Sequence, residues 1–220
     1  MSGKTTVLAF DFGASSGRAV KAVYDGAALS YEEVHRFENC PQEKDGRLRW
    51  DFSALMDEGH IVEGMKKCAE LHKIPDTVGI DTWGVDFGLL GKNGTLLEAP
   101  VHYRDGRTAG MVEQALRTMD ARTLYGATGN QIMAINTLFQ LLAVKEQAPE
   151  VWRRAKRLLF MPDLFIHALC GAQVCERTIA STSQMQDART GAWDRDVLAA
   201  YRIPERLFAP SVPSGTVVGA

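Results

Sequence analysis

The sequence predicts an α/β domain in which a mixed sheet opens in antiparallel hairpins and is flanked by helices. Residues 6–10 (TVLAF) form an apolar run stopped by Asp11, and residues 18–24 (RAVKAVY) resume strand-like alternation beyond a Gly/Ser turn. Asp25-Gly26 is a second hairpin signal, leading into residues 28–37, so the chain opens as a meander of three strands. Helical periodicity comes only after this meander. A doubly wound dinucleotide fold places a helix directly behind its first strand, which this order excludes.

The later elements follow the same logic. Leu55, Val62, Met65 and Ala69 share one face of a helix that begins behind Asp51 or Ser53 as N-cap and is predicted to cover the first sheet. Residues 78–82 (VGIDT) and 85–90 (VDFGLL) are apolar strands, and Asn93-Gly94 is a turn before residues 95–97. Leu138, Leu141, Leu142 and Lys145 suit a helix capped near Asn136, and residues 149–157 and 163–169 suit two more. Residues 111–169 are therefore predicted to be mainly helical. Residues 194–201 add a helix, and the Pro- and Gly-bearing tail 210–220 reads as loop and strand.

Composition narrows the function. Hydrophobic residues make up 45% of the 220 and charged residues 24%, the balance of a globular protein with a sizeable core. The formal net charge of -2 gives no broad positive field for a phosphodiester backbone, so nucleic acid is not an expected partner. Residues 1–6 are polar and the apolar run behind them is broken by Asp11, which excludes a signal-peptide pattern. The richest apolar regions are interrupted by Asn136, Thr137, Gln140, Pro162 and Asp163, so no membrane span is expected and the cytoplasm is the expected location. Cys40, Cys68, Cys170 and Cys175 are too few and too irregular for a disulfide framework and read as reduced thiols. His35, His60, His72, His102 and His167 form no metal-binding pattern, and the run Arg153, Arg154, Lys156, Arg157 reads as a solvated helix face.

Two segments carry chemistry. Residues 11–18 (DFGASSGR) join two strands through a loop in which Gly13 and Gly17 permit close approach, so backbone N–H groups can converge on an anion with Ser15 and Ser16 as added donors. Arg18 offers a planar fork of donors to phosphate, and Asp11, at a strand end, suits a hydrated Mg²⁺. The loop is not a Walker A motif, because it lacks Gly-Lys-Ser/Thr and leads into a strand. Read alone, it is suggestive only, because Gly/Ser turns between strands are common and an ordinary turn is the plainer reading. Residues 79–87 (GIDTWGVDF) interrupt strand character with Trp83-Gly84, a flat aromatic surface beside a residue that admits close backbone approach. A sugar suits that pair: Trp83 packs on its C–H face, Asp86 accepts from hydroxyls and Gly84 offers backbone groups. The plainer alternative makes Trp83 core and has Asp81 and Asp86 capping turns. Asp81 and Asp86 as a glycosidase pair is disfavoured, since five positions along a strand put them on opposite faces.

The strings DFGASSGR and DTWGVDF resemble the first phosphate motif and the sugar motif of rhamnulokinases, members of the FGGY family of sugar kinases. Fuculokinases look more like TFGVDG, and xylulokinases carry a Gln-Met-His-Gly motif. Further matches at His35-Arg36-Phe37, Tyr103-Arg104-Asp105 with Arg107-Thr108, Asn136-Thr137-Leu138 and Met161-Pro162-Asp163 extend the resemblance over nearly the whole chain. The resemblance implies an actin-like ATPase (ribonuclease H-like) domain, ATP phosphates at Gly13, Ala14, Ser15, Ser16, Gly17 and Arg18, and Mg²⁺ at Asp11. It implies sugar contacts at Gly84, Trp83 and Asp86. Asp163 opens a helix after a strand, where helix capping is the expected role ahead of a sugar contact.

The activity so implied is ATP-dependent phosphorylation of L-rhamnulose to L-rhamnulose 1-phosphate in L-rhamnose catabolism. Another FGGY ketose or polyol kinase, such as an L-fuculokinase, and a non-catalytic sugar- or nucleotide-binding module remain the alternatives. No catalytic residue is assigned within the 220. The family's general-base Asp, in a His-Asp segment, is expected beyond Ala220, so residues 1–220 are expected to be an N-terminal FGGY domain cut before its end. The second domain is expected to be absent and the chain alone inactive. Oligomeric state is not legible in the sequence.

Overall fold

The computed structural model describes residues 3–57, 59–72 and 74–219. Strands β1 (Thr5–Phe12), β2 (Ser16–Tyr24) and β3 (Leu29–Glu38) come first, followed by the short pair β4 (Gln42–Lys44) and β5 (Arg47–Arg49). Helices α1 (Phe52–Met56) and α2 (Ile61–His72) lead to β6 (Thr77–Asp81) and β7 (Phe87–Leu90). Then come α3 (Met111–Leu116), α4 (Ala121–Thr128), α5 (Thr137–Gln147), α6 (Pro149–Arg154), β8 (Arg157–Phe160) and α7 (Met161–Cys170). The chain closes with β9 (Cys175–Glu176), α8 (Arg177–Ala180), α9 (Arg195–Ala200) and β10 (Ser211–Val212). Met1, Ser2 and Ala220, which belong to segments read from the sequence, lie outside the described residues. No helix among the described residues is long and apolar enough to cross a membrane.

The chain divides into two compact units, Met1–Gln42 with Asp51–Trp83, and Glu43–Trp50 with Gly84–Ala220. In the first, the described residues form a mixed sheet of order β3-β2-β1-β6. β1 runs antiparallel to β2 along its whole length and parallel to β6. The predicted meander is present because its turn signals are met. Asp25 Oδ1 accepts the Ala27 and Ala28 N–H groups, and Gly26 takes φ +98°, which glycine adopts without strain. α2 packs against β1, β2 and β3, as its apolar face predicts. Leu8, Phe10, Phe12, Ala19, Leu55, Ile61 and Cys68 are buried in this unit. The periodic face from Leu55 to Ala69 belongs to two helices rather than the single one predicted. Asp51 caps the first through its bond from Ala54 N–H, but Asp57 is extended (φ -77°, ψ -167°) and ends it.

In the second unit β7 pairs antiparallel with β8, and all four β7 residues are buried, so this strand shows no alternation. α6 ends at Arg154, short of the predicted residue 157, because Ala155 is extended (φ -62°, ψ 128°) and the chain turns into β8. Asn136 holds the N-cap position of α5, yet its side chain does not cap: Nδ2 donates to Gln131 O at 2.8 Å and Gln184 Oε1 at 2.6 Å. Asp163 lies in the first turn of α7, where its carboxylate accepts from the backbone N–H of Phe160, the N-cap residue, as its expected helix-end role has it. α7 begins at Met161 with Phe160 as N-cap, and Asp163 Oδ1, fully buried, accepts the Glu176 N–H at 3.1 Å, tying the helix to β9.

Burial pushes the Asp163 carboxyl up to about 7. A carboxyl whose folded value exceeds its unfolded value of 3.8 stabilises the fold fully below that lower value, and the contribution is lost as pH rises through about 7. Wild type is therefore expected to lose about 2–3 kcal/mol more than Asp163→Asn between pH 5 and pH 8. Urea midpoints at the two pH values check this, and parallel behaviour of the two proteins contradicts it.

Candidate functional site

The phosphate-loop candidate sits in the first unit, where β1 turns into β2. Gly13, Ala14 and Ser15 are exposed, Ser16 is half-buried, and Gly17 is buried. Gly13 N–H closes the loop on Ser16 O at 2.8 Å. The carbonyls of Gly13 and Ser15 are both held by Asn39, through Nδ2 at 2.7 Å and its backbone N–H at 3.0 Å. With these two carbonyls bound by Asn39, Ala14 and Ser15 stay exposed at the tip of the loop. Gly17 is required sterically: a Cβ there would come within 2.1 Å of the Phe37 ring. Phe37 is itself fixed by Phe12, 5.1 Å away between centroids, and by an edge contact with His60 at 4.7 Å. Asn39 belongs to neither motif read from the sequence, because nothing in local spacing marks a residue 26 positions from the carbonyl that it binds.

Asp11 and Arg18 are register partners across β1 and β2. The guanidinium forks onto one carboxylate oxygen, with Nε at 2.9 Å and Nη2 at 2.7 Å from Asp11 Oδ2. Both side chains remain about half exposed, at 47% and 46%, so the pair stays reachable by a charged ligand. On the other side of β1, Asp81 is the parallel register partner of Asp11. Sequence alone offers Asp81 only as a turn cap or a disfavoured glycosidase carboxylate; its position beside Asp11 follows from the β1–β6 pairing, which local sequence does not specify. No cluster of three or more His, Cys, Asp or Glu residues suited to a metal occurs among the described residues. That still fits Mg²⁺, which takes one or two carboxylates and completes its shell with water and phosphate oxygens.

The predicted sugar motif divides at the unit boundary. Trp83 ends the first unit, half-buried, with its carbonyl accepting from Thr82 Oγ1 at 2.9 Å. Gly84 opens the second unit and is half-buried. A Cβ on Gly84 would lie 3.0 Å from Thr182 Cγ2, so glycine is present here for close approach. β7 begins only at Phe87, and Val85, read from the sequence as the start of a strand over residues 85–90, instead has φ +67°, a left-handed conformation that β-branched residues rarely take. Asp86 N–H donates to Gly84 O at 2.9 Å across it, closing a tight γ-turn.

The sequence predicts that Asp86 accepts from sugar hydroxyls, but its oxygens are used within the fold. At 1% exposure, Oδ2 accepts Trp50 Nε1 at 2.7 Å and Tyr103 N–H at 3.1 Å, and Oδ1 accepts Gln140 Nε2 at 2.9 Å. A buried carboxylate is retained when donors converge on it in this way. Gln140 Oε1 in turn accepts Arg107 Nη2 at 2.6 Å, linking the carboxylate to a buried guanidinium. Burial lowers Arg107 to about 10, with the Asp86 charge opposing that shift. His102, stacked between Trp50 and Tyr103, accepts the Arg104 N–H on Nδ1. Burial lowers it to about 4, so it is neutral at physiological pH. Sequence spacing cannot pair Trp50 or Tyr103 with Asp86, and of the two only Tyr103 lies in a string that carries the family resemblance.

An exposed loop between two antiparallel strands, with an arginine and a carboxylate beside it, on a mixed sheet backed by a helix, is the architecture of actin-like ATPase domains. Residues 6–220 match the FGGY family of carbohydrate kinases, N-terminal domain, and the chain belongs to that family. It is 38% identical over 214 residues to the rhamnulokinase of Enterobacter sp. (strain 638), covering 96% of this chain and 43% of that protein. It is 42% identical over 201 residues to the rhamnulokinase of Halalkalibacterium halodurans, covering 91% of this chain and 42% of that protein. The chain thus spans less than half the length of these curated relatives. Gluconate kinase from Lactobacillus acidophilus has the same fold at 18% identity, with a TM-score of 0.85 over 99% of this chain and 44% of that one.

Proposed function

We propose that the protein carrying this chain transfers the γ-phosphoryl group of ATP to the 1-hydroxyl of L-rhamnulose, giving ADP and L-rhamnulose 1-phosphate in L-rhamnose catabolism. The observation that carries the phosphate half is the loop at residues 13–15, exposed, with its carbonyls tied back by Asn39 and Arg18 at its end. The string DTWGVDF, and 38% and 42% identity to two proteins named rhamnulokinase, support the choice of sugar.

In this reading the ketose O1 attacks the γ-phosphorus, the bond to the β–γ bridging oxygen breaks, and the hydroxyl proton passes to a carboxylate. The transition state is loose, so the protein contributes position and charge rather than covalent chemistry. The exposed loop around Ala14 and Ser15, closed by the Gly13 N–H to Ser16 O bond, and the Arg18 fork hold the phosphates, with Arg18 exchanging Asp11 for a phosphate oxygen. Asp11, with Asp81 beside it, would hold hydrated Mg²⁺, which neutralises charge on the β- and γ-phosphate oxygens when bound. Gly84 and Trp83 take the sugar, while Asp86, two residues beyond Gly84, keeps Trp50 and Tyr103 in place. The proton acceptor, an Asp, and the second FGGY domain are assigned to residues outside these 220. An enzyme that draws on ATP and a metabolic sugar in this way works in the cytoplasm.

The test is ATP-dependent phosphorylation of a panel of ketoses and polyols by the whole protein. L-Rhamnulose is expected to give the highest kcat/KM. Preference for L-fuculose or D-xylulose would reassign the sugar within the family, and no turnover with any member would leave the loop a binding module.

A further inference from the structure

We propose that Thr182 is a positioning residue for sugar recognition: with Thr137 it holds Val85 in a left-handed turn and so fixes the backbone of Gly84 against the substrate. The proposal rests on the reading of Gly84 as a sugar contact.

The motivating feature is strain with three separate supports. Val85 has φ +67°, where its branched Cβ crowds the following carbonyl. Residues persist in such conformations only where their surroundings over-determine them. Here the Val85 N–H donates to Thr182 Oγ1 at 3.0 Å. Its carbonyl accepts Thr137 Oγ1 at 2.7 Å and, at a longer 3.4 Å, Gln140 Nε2. These side chains come from α5 and from the 3₁₀ turn Ser181–Ser183, elements far apart in sequence that converge on one residue.

Thr182 is built for this task. Its hydroxyl proton is committed to Ile179 O at 2.7 Å, which leaves the oxygen lone pairs for the Val85 N–H. Its methyl group lies 3.0 Å from the position that a Cβ on Gly84 would take, so the same side chain sets both the conformation of Val85 and the space beside Gly84. Across the turn, Asp86 N–H bonds Gly84 O at 2.9 Å, which couples the Gly84 peptide to the Val85 conformation. Relaxation of Val85 would break that bond and rotate the Gly84 peptide away from the orientation that meets the sugar.

Thr182→Val keeps the shape of the side chain and removes its acceptor; Thr182→Ser keeps the acceptor and removes the methyl group. In the whole protein, Thr182→Val is expected to raise the KM for L-rhamnulose about tenfold and to leave the KM for ATP within about twofold. Amide exchange in peptides spanning Val85 should accelerate about tenfold in that variant, and Thr182→Ser should restore both quantities. Thr137→Val, which cuts the support on the carbonyl side, is expected to act in the same direction and serves if Thr182→Val does not fold. Wild-type KM for sugar in Thr182→Val, or equal losses for sugar and ATP, overturns the proposal while leaving the sugar assignment standing. If the wild-type protein itself responds to no ketose, the reading of Gly84 fails, and this proposal fails with it.

Discussion

Asp86→Ala is expected to destabilise the protein by about 3–5 kcal/mol and to lower its melting temperature by about 10 °C. The carboxylate is 1% exposed and accepts from Trp50 Nε1, Tyr103 N–H and Gln140 Nε2. Its removal takes the acceptor from the buried Trp50 Nε1 and the part-buried Tyr103 N–H, and one acceptor from Gln140 Nε2, which still donates to Ile135 O at 2.8 Å; each unsatisfied group costs roughly 1–3 kcal/mol unless water enters the space. A second loss is electrostatic. Arg107 is buried and reaches Asp86 through Gln140, so without the carboxylate its positive charge loses the opposite charge that helps hold it there. Asp86→Asn keeps one acceptor oxygen but turns an NH₂ group towards donors, and an intermediate loss of about 2 kcal/mol is expected. Calorimetry on the three proteins decides: a melting temperature for Asp86→Ala within about 2 °C of wild type would mean that the network does not hold this part of the fold.

The same residue shows how far the sequence reaches. Asp86 is legible as special, because a carboxylate inside an apolar strand needs a reason. Its reason is not legible, because Trp50 and Gln140 are 36 and 54 positions away. The opening meander is legible for the opposite cause: Asp25-Gly26 and the Gly/Ser loop are local turn chemistry, and the Asp25 bonds that realise it span two and three residues. The break between α1 and α2 is hidden because the apolar spacing of Leu55, Val62, Met65 and Ala69 carries across it. Val85 gives a misleading signal, since its apolar run reads as the start of a strand. Valine favours extended backbone, and its left-handed turn is imposed by Thr137 and Thr182 from distant elements. In the loop, the glycines are visible, while the specific demand on Gly17 comes from the ring of Phe37 on β3.

Arg18→Ala is expected to lower kcat/KM for ATP about 100-fold in the whole protein while barely changing its stability. The two effects separate because of where Arg18 sits. Its fork onto Asp11 is about half exposed on both sides, and such surface pairs contribute only about 0–1 kcal/mol to folding. Charge developing on a transferred phosphoryl group is a different matter, since a fixed guanidinium acts there without the cost of reorganising water. Arg18→Lys keeps the charge but loses the fork, and should recover only part of the rate. Neighbouring support makes the comparison clean: Asn39 and Phe37 hold the loop through Gly13, Ser15 and Gly17, and none of those contacts involves the Arg18 side chain.

The most direct measurement is therefore the initial rate of L-rhamnulose 1-phosphate formation against ATP concentration, for wild type and Arg18→Ala side by side, with melting temperatures recorded for both. A loop at residues 11–18 that binds ATP phosphates requires a wild-type rate that saturates with ATP and a variant that is folded but about 100-fold less efficient. An Arg18→Ala protein that turns over ATP as fast as wild type would contradict the assignment of this loop.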